Sequence, residues 1–455
     1  MKRPLPVSIS GVTIQRAAWR LGSGFKRLDA PAHARSHGRL ADVRLALTLT
    51  AAILSAAAVH ARSPRLQAPT DNASVETAAR SVRANDEKTL ADQVRLCEVP
   101  APPFGERARA AVVRDMLHAV GLKSVRIDRE GNVVGDRPGR SPRPNVVLAA
   151  HLDTVFPGGT PVKVRRAGSI LSGPGIADNC RGLAVLIAVA RALESAAVQT
   201  AGTVTFAATV GEEGLGDLRG ARTLLGDTLK GRVDRFVALD GTGESITNIA
   251  VGSRRYRVTF RGSGGHSYNN FGRANPAHAL ARAVARISEL PVPSRPKTTF
   301  NVGRIGGGTS VNAIPADAWF EIDLRSTDEA VLATLDRSVQ KIVDDAVAVE
   351  NTRWKNGALT VSSERIGDRP AGRTDERVPI VETARSISSR LGMSTALGAA
   401  STDANIAIQL GIPAIAIGGG GRGTGSHTLD ESFDSTGSFR GTERALRLVV
   451  ALSRP

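Results

Sequence analysis

Short apolar runs that end in a histidine or a carboxylate recur along this chain, and they restrict what it can fold into. Residues 146–153 read VVLAAHLD, 203–213 read TVTFAATVGEE, 236–240 read FVALD, and 413–417, PAIAI, lead into a glycine run ending at His427. Runs that are apolar at successive rather than alternate positions suit strands buried on both faces, as in a parallel sheet covered by helices. The carboxyl ends of such strands open into the crevice where α/β sheets bind ligands. The expected fold class is therefore α/β, with a mainly parallel, doubly wound sheet.

The chain is 455 residues long, too long for one ordinary core, so two domains behind a leader are expected. Residues 1–42 are rich in Arg and Lys without apolar periodicity and read as a disordered leader. Residues 43–61, VRLALTLTAAILSAAAVHA, follow basic residues and end in small ones, as a secretory signal does. We expect 1–61 to be leader and signal peptide, with a true start near Val43 and a mature protein beginning near Arg62. That protein would be periplasmic or secreted and not stably inserted in a membrane; an uncleaved anchor is the alternative reading.

Residues 62–77 read as a polar linker and 78–250 as the first part of a catalytic domain. Within 251–365 the expected order is strand 254–261, helix 276–289, strands 298–305 and 319–324, helix 328–349 and strand 359–364. That β-α-β-β-α-β order is the ferredoxin-like unit, here an inserted α+β domain. Residues 366–455 return to the catalytic domain, with helices at 378–391 and 404–410 and a last strand at 413–417.

The hydrophobic fraction of 41% and charged fraction of 23% are those of a soluble globular protein. A net charge of +17 invites a nucleic-acid reading, but aromatics are 4% and no basic run is interleaved with them, so no nucleic-acid partner is expected. Cys97 and Cys180 form neither a disulfide framework nor a thiolate site, so a metal here must be held by nitrogen and oxygen.

His151 and Asp153 are two apart on an extended run and face the same side. The imidazole can then bind a metal while the carboxylate orients it from behind. Asp178 stands before an apolar helix at 183–193, where it can cap the helix or ligate a metal. With Glu212, Glu213, Asp240 and His427 these residues make a two-metal inventory: one bridging carboxylate, ligands for each ion, and one glutamate to spare. Two ions about 3.5–4 Å apart can share a bridging hydroxide and polarise a carbonyl together. The glycines at 418–425 lack the Lys-Ser/Thr of a phosphate-binding loop and are expected to let backbone approach a ligand and to present His427.

Together, HLDTVFP, GIADNCRG, GEEG and GSHTLDE make the chain resemble the co-catalytic zinc exopeptidases and deacylases, such as tripeptidase T, carboxypeptidase G, carnosinase, aminoacylase and succinyl-diaminopimelate desuccinylase. The resemblance covers residues 80–450. It implies two Zn2+ per subunit, with Co2+ or Mn2+ as alternatives. It implies His151, Glu213, Asp240 and His427 as ligands, Asp178 as the bridge next to a cis peptide bond, Asp153 behind His151, and Glu212 as general base. The inserted domain resembles a lid through which such proteins dimerise, which implies a homodimer. GSGGHS, SVNAIP and DLRS imply His266 on the oxyanion and Asn312 and Arg325 on the substrate. Aspartate at 240 points to an aminopeptidase, tripeptidase or dipeptidase acting on short peptides. An N-acyl amino acid amidohydrolase or deacylase, or a carboxypeptidase, is the alternative, and a non-catalytic binding protein a remote one.

Overall fold

The computed structural model describes residues 73–455; the expected leader, the signal segment and most of the 62–77 linker lie outside the described residues. The linker's last residues belong to a helix, Ala73–Ala84, which packs Val75, Ala78 and Val82 into the main core. No helix among the described residues is long and apolar enough to cross a membrane.

A nine-stranded sheet forms the centre, and its four middle strands, Val204–Thr209, Val146–His151, Arg235–Leu239 and Ala414–Ile417, are parallel in that spatial order. Every residue of Val146–His151 is buried. Val146, Leu148 and Ala150 face a layer built from Cys180–Ser195, Phe439–Leu452, Arg107–Val120 and Pro379–Arg390, while Val147 and Ala149 face Arg219–Thr223 and Ala404–Gln409. Burial on both sides is why these runs carry no polar alternation. The flanking strands Lys123–Ile127, Val133–Arg137, Ile246–Ala250 and Gly372–Arg373 add antiparallel neighbours, so the sheet is mixed around a parallel centre.

The inserted unit is a four-stranded antiparallel sheet, ordered Thr298–Gly307, Asp317–Ser326, Gly252–Arg261, Thr360–Arg369. Helices Pro276–Ser288 and Glu329–Arg353 cover one face through Phe260, Phe320, Leu332 and Val339. Their starts are capped locally: Asn275 accepts a hydrogen bond from the Ala277 amide and Asp328 one from the Val331 amide. The last strand runs past the expected boundary at 365 to Arg369, after a register shift between Arg365 and Gly367. That shift and the polar run SSERIGDR hide the strand's end from its periodicity.

A small sheet, Arg422–Thr424, Ser432–Asp434, Ile170–Ser172, Arg165–Ala167, lays the 422–434 segment against the start of the 173–179 loop. The glycine run before it is used differently from expectation. A side chain at Gly418 would meet the Thr242 carbonyl at 2.2 Å and one at Gly420 the Ser438 carbonyl at 2.4 Å. These glycines let backbone pack against backbone inside the fold.

Candidate metal centre

The parallel strands release their chemistry at one edge. Val146–His151 ends on a buried histidine, and Asp153 follows with no exposed surface. After Val204–Thr209 the chain turns at Gly211, at a φ of 63°, where a side chain would strike Arg219 at 2.6 Å; Glu212 and Glu213 follow, both buried. Asp240 comes directly after Arg235–Leu239. His427 sits at a φ of 67°, uncommon for a non-glycine residue, and its ring is exposed on one side while Nε2 faces Asp178 and Glu213.

Asp178 is held by an acid that sequence reasoning did not single out. Glu431, fully buried, accepts hydrogen bonds from the amides of Gly175 (2.9 Å), Ala177 (2.8 Å) and Asp178 (2.9 Å). The Asp178–Asn179 peptide is cis. Glu431 lies four residues past His427 in the same GSHTLDE segment, and only the folded loop shows what it grips.

The result is a carboxylate between two imidazoles. Asp178 Oδ1 is 3.1 Å from His151 Nε2, and Oδ2 is 3.4 Å from His427 Nε2. Glu213 Oε1 is 3.2 Å from His427 Nε2. His151, Asp178 and Asp240 bring ligand atoms within 4.8 Å of one another, as do Asp178, Glu213 and His427, and His151, Glu212 and Glu213. Asp178 therefore belongs to two neighbouring groups, one around each histidine.

The electrostatics of the cluster call for positive charge. Hydrogen bonds to the Asp178 and Glu213 carboxylates push the His427 imidazole up to about 10. Burial works to lower His151, but Asp153 and Asp178 outweigh it and raise its pKa well above the usual value. Burial would raise Asp178 too; both imidazoles override that and hold its carboxyl low. Burial and the adjacent Asp178 push Asp240 up to about 7. Imidazole and carboxylate oxygen without thiolate are a donor set for zinc, and a divalent cation in each group would balance carboxylates crowded in a buried site. The residues present fit two such ions.

Asp153 does more than orient His151. Its carboxylate accepts from the amides of Glu212 (3.0 Å) and Glu213 (2.8 Å), whereas His151 Nδ1 lies closer to the Asp153 carbonyl (3.1 Å) than to its carboxylate (3.6 Å). In Asp153→Ala both amides lose their acceptor, at about 1–3 kcal/mol for each buried unpaired N–H. Metal affinity should fall by about 10- to 100-fold, as for loss of a residue supporting a ligand. Thermal melts and metal titrations check this, and unchanged affinity would contradict the role.

Glu212 meets a partner from the inserted domain, Arg369, whose Nη1 is 3.0 Å from Glu212 Oε1. Burial raises the Glu212 carboxyl well above its usual range, and Arg369 opposes that shift. Asp403 is a further acid missing from the expected set: buried, it accepts from Thr209 Oγ1, and burial pushes it up to about 6.

His266, Asn312 and Arg325 are not joined to the cluster by any hydrogen bond or ion pair among the described residues. His266 pairs with Ala313 across a small ribbon, and next to that pair the Ser267 amide donates to the Asn312 carbonyl at 2.9 Å; His266 and Asn312 are both exposed. Arg325 sits on the lid sheet and donates to Asp323 at 2.7 Å.

Residues 147–451 match the model of peptidase family M20/M25/M40. The chain belongs to this family. Among curated relatives, succinyl-diaminopimelate desuccinylase of Leptothrix cholodnii is 27% identical over 289 residues, covering 59% of this chain and 73% of that protein. A tripeptidase from Staphylococcus aureus superposes with a TM-score of 0.69 at 21% identity, over 82% of this chain and 99% of that one. A dinuclear metal-binding M20 peptidase from Bacillus subtilis superposes with a TM-score of 0.61 at 17% identity, over 81% of this chain and 98% of that one. The fold is thus that of M20 hydrolases, a catalytic domain with a lid.

Proposed function

We propose that this M20 hydrolase is a di-zinc exopeptidase that cleaves an amide bond of short peptides bearing a free amino group. The observation that carries the reading is Asp178, whose two oxygens serve the two histidine-centred groups while Glu212 stands beside them. One ion would be held by His151, Asp178 and Asp240, the other by Asp178, Glu213 and His427. Metal bound by these residues would supply Lewis-acid polarisation of a carbonyl and a lowered pKa for a water.

The chain's own residues do the rest. Glu212 Oε1 is engaged by Arg369, which leaves Oε2 to take the proton from the attacking water and hand it to the departing amine nitrogen. Asp153 fixes the backbone from which Glu212 and Glu213 project. Aspartate at 240 supports the aminopeptidase form of the reading, by resemblance. The desuccinylase relative favours a second form, removal of an acyl group from an N-acyl amino acid.

A panel of free-amino di- and tripeptides beside N-acetyl and N-succinyl amino acids, assayed with the purified chain before and after chelation, separates the two forms. About two metal ions per chain and chelator-sensitive cleavage of the free peptides are expected. Preference for the acylated panel would move the assignment to the second form, and no cleavage with no bound metal would sink both. Dimerisation through the lid is part of the proposal, supported by the sheet edge Thr298–Gly307 with Ile305 and Val311 exposed beside it. So is export to the periplasm, which rests on residues 43–61. Light scattering and N-terminal sequencing of the mature protein test these two parts.

A further inference from the structure

The root of the lid is fastened to the stretch that carries the carboxylate pair. Asp217 accepts from the Asp368 amide at 2.9 and 3.1 Å, Arg222 donates to the Asp368 carbonyl, and Arg255 donates to the Gly214 carbonyl at 2.7 Å. Arg369, the last residue of the lid strand, goes deepest and is only 4% exposed. Its Nη1 lies 3.0 Å from Glu212 Oε1 and 3.2 Å from Ser401 Oγ, and its Nη2 donates to the Glu212 main-chain carbonyl. One guanidinium thus holds both the side chain and the backbone of a single glutamate. The two acceptors are reached by two nitrogens of one rigid fork, a spacing that an ammonium, with its donors on a single nitrogen, does not reproduce.

We propose that Arg369 is a positioning residue of the lid that fixes the Glu212 carboxylate for proton transfer. The inference rests on the reading of Glu212 as the general base. Without the fork, the Glu212 carboxylate is free to leave the direction in which it must reach the water, and a displacement of about 1 Å costs on the order of 10²-fold in rate. Among the residues of the cluster, Arg369 makes a hydrogen bond or ion pair only with Glu212; its other partners, Ser401 and Asp217, lie outside the cluster, so its effect on the chemistry should run through Glu212.

A double-mutant cycle tests this, with kcat, KM, metal content and melting temperature measured for Arg369→Met, Arg369→Lys, Glu212→Gln and Glu212→Gln/Arg369→Met. Arg369→Met should lower kcat by about 10²-fold with KM and metal content little changed. Arg369→Lys should recover part of that loss, having charge without the fork. In the Glu212→Gln background the same Arg369→Met change should cost less than about 3-fold, because residues acting as a unit are not additive. A full loss in both backgrounds, a raised KM at constant kcat, or wild-type kcat in Arg369→Met would each overturn the proposal. If Arg369→Met does not fold, Arg369→Lys decides, and wild-type kcat there overturns it. Wild-type turnover in Glu212→Gln would instead overturn the general-base reading beneath it.

Discussion

Glu212→Gln is expected to keep the fold and the bound metal while turnover falls by about 10²- to 10⁴-fold, the usual contribution of a general base. The substitution is nearly isosteric, and its amide oxygen can still accept from Arg369 Nη1, now 3.0 Å from Glu212 Oε1. The Glu212 amide remains bound to Asp153, so the neighbouring Glu213 keeps its place against His427. What disappears is the basic oxygen that accepts a proton. Steady-state kinetics paired with metal analysis and a thermal melt read the three quantities separately. Full activity in this variant would remove Glu212 from the chemistry, and loss of metal together with activity would make it a ligand instead.

Asp178→Asn should be as damaging by another route. Asp178 is the residue shared by both histidine groups, with one oxygen 3.1 Å from His151 and the other 3.4 Å from His427. Asparagine has the same size but replaces one of those oxygens with an NH2, a donor that cannot ligate a cation, and it removes the negative charge. Affinity for both ions should drop by more than the ~10- to 100-fold seen on losing a supporting residue, and activity should vanish with them. Metal stoichiometry after dialysis and a titration of the stripped protein provide the measurement. Retention of two ions at parental affinity would show that the bridge lies elsewhere.

The organisation of the catalytic domain was legible because it is written in local pattern. Val146–His151 is apolar at every position and meets a helical layer on each side, so its run has no alternation to misread. Elements at the sheet margins were harder to see. Ile246–Ala250, ITNIA, alternates buried and half-buried positions, and Leu397–Ala400 is a short exposed pairing with it; neither carries the buried-strand pattern. The start of the helix Ala73–Ala84 was hidden because its residues are mostly small or polar and only its packing makes it a helix.

By itself the sequence determined which residue types stand at the strand ends, His151, Glu212, Glu213 and Asp240, because a buried strand must stop where its polar residues begin. Through its motif order it also pointed to the family. Tertiary structure alone decided the partnerships. Glu431 grips the Asp178 loop from 253 positions away and Arg369 reaches Glu212 across 157. In a chain with 60 Lys and Arg residues and 43 Asp and Glu, charge type cannot select one pair from so many. Selection comes from packing: the small sheet seats Glu431 under the 173–179 loop, and the lid strand ends where its last side chain is buried against the base. A contact that closes a long loop is favoured only once the elements around it are in place, so no local window of residues records it.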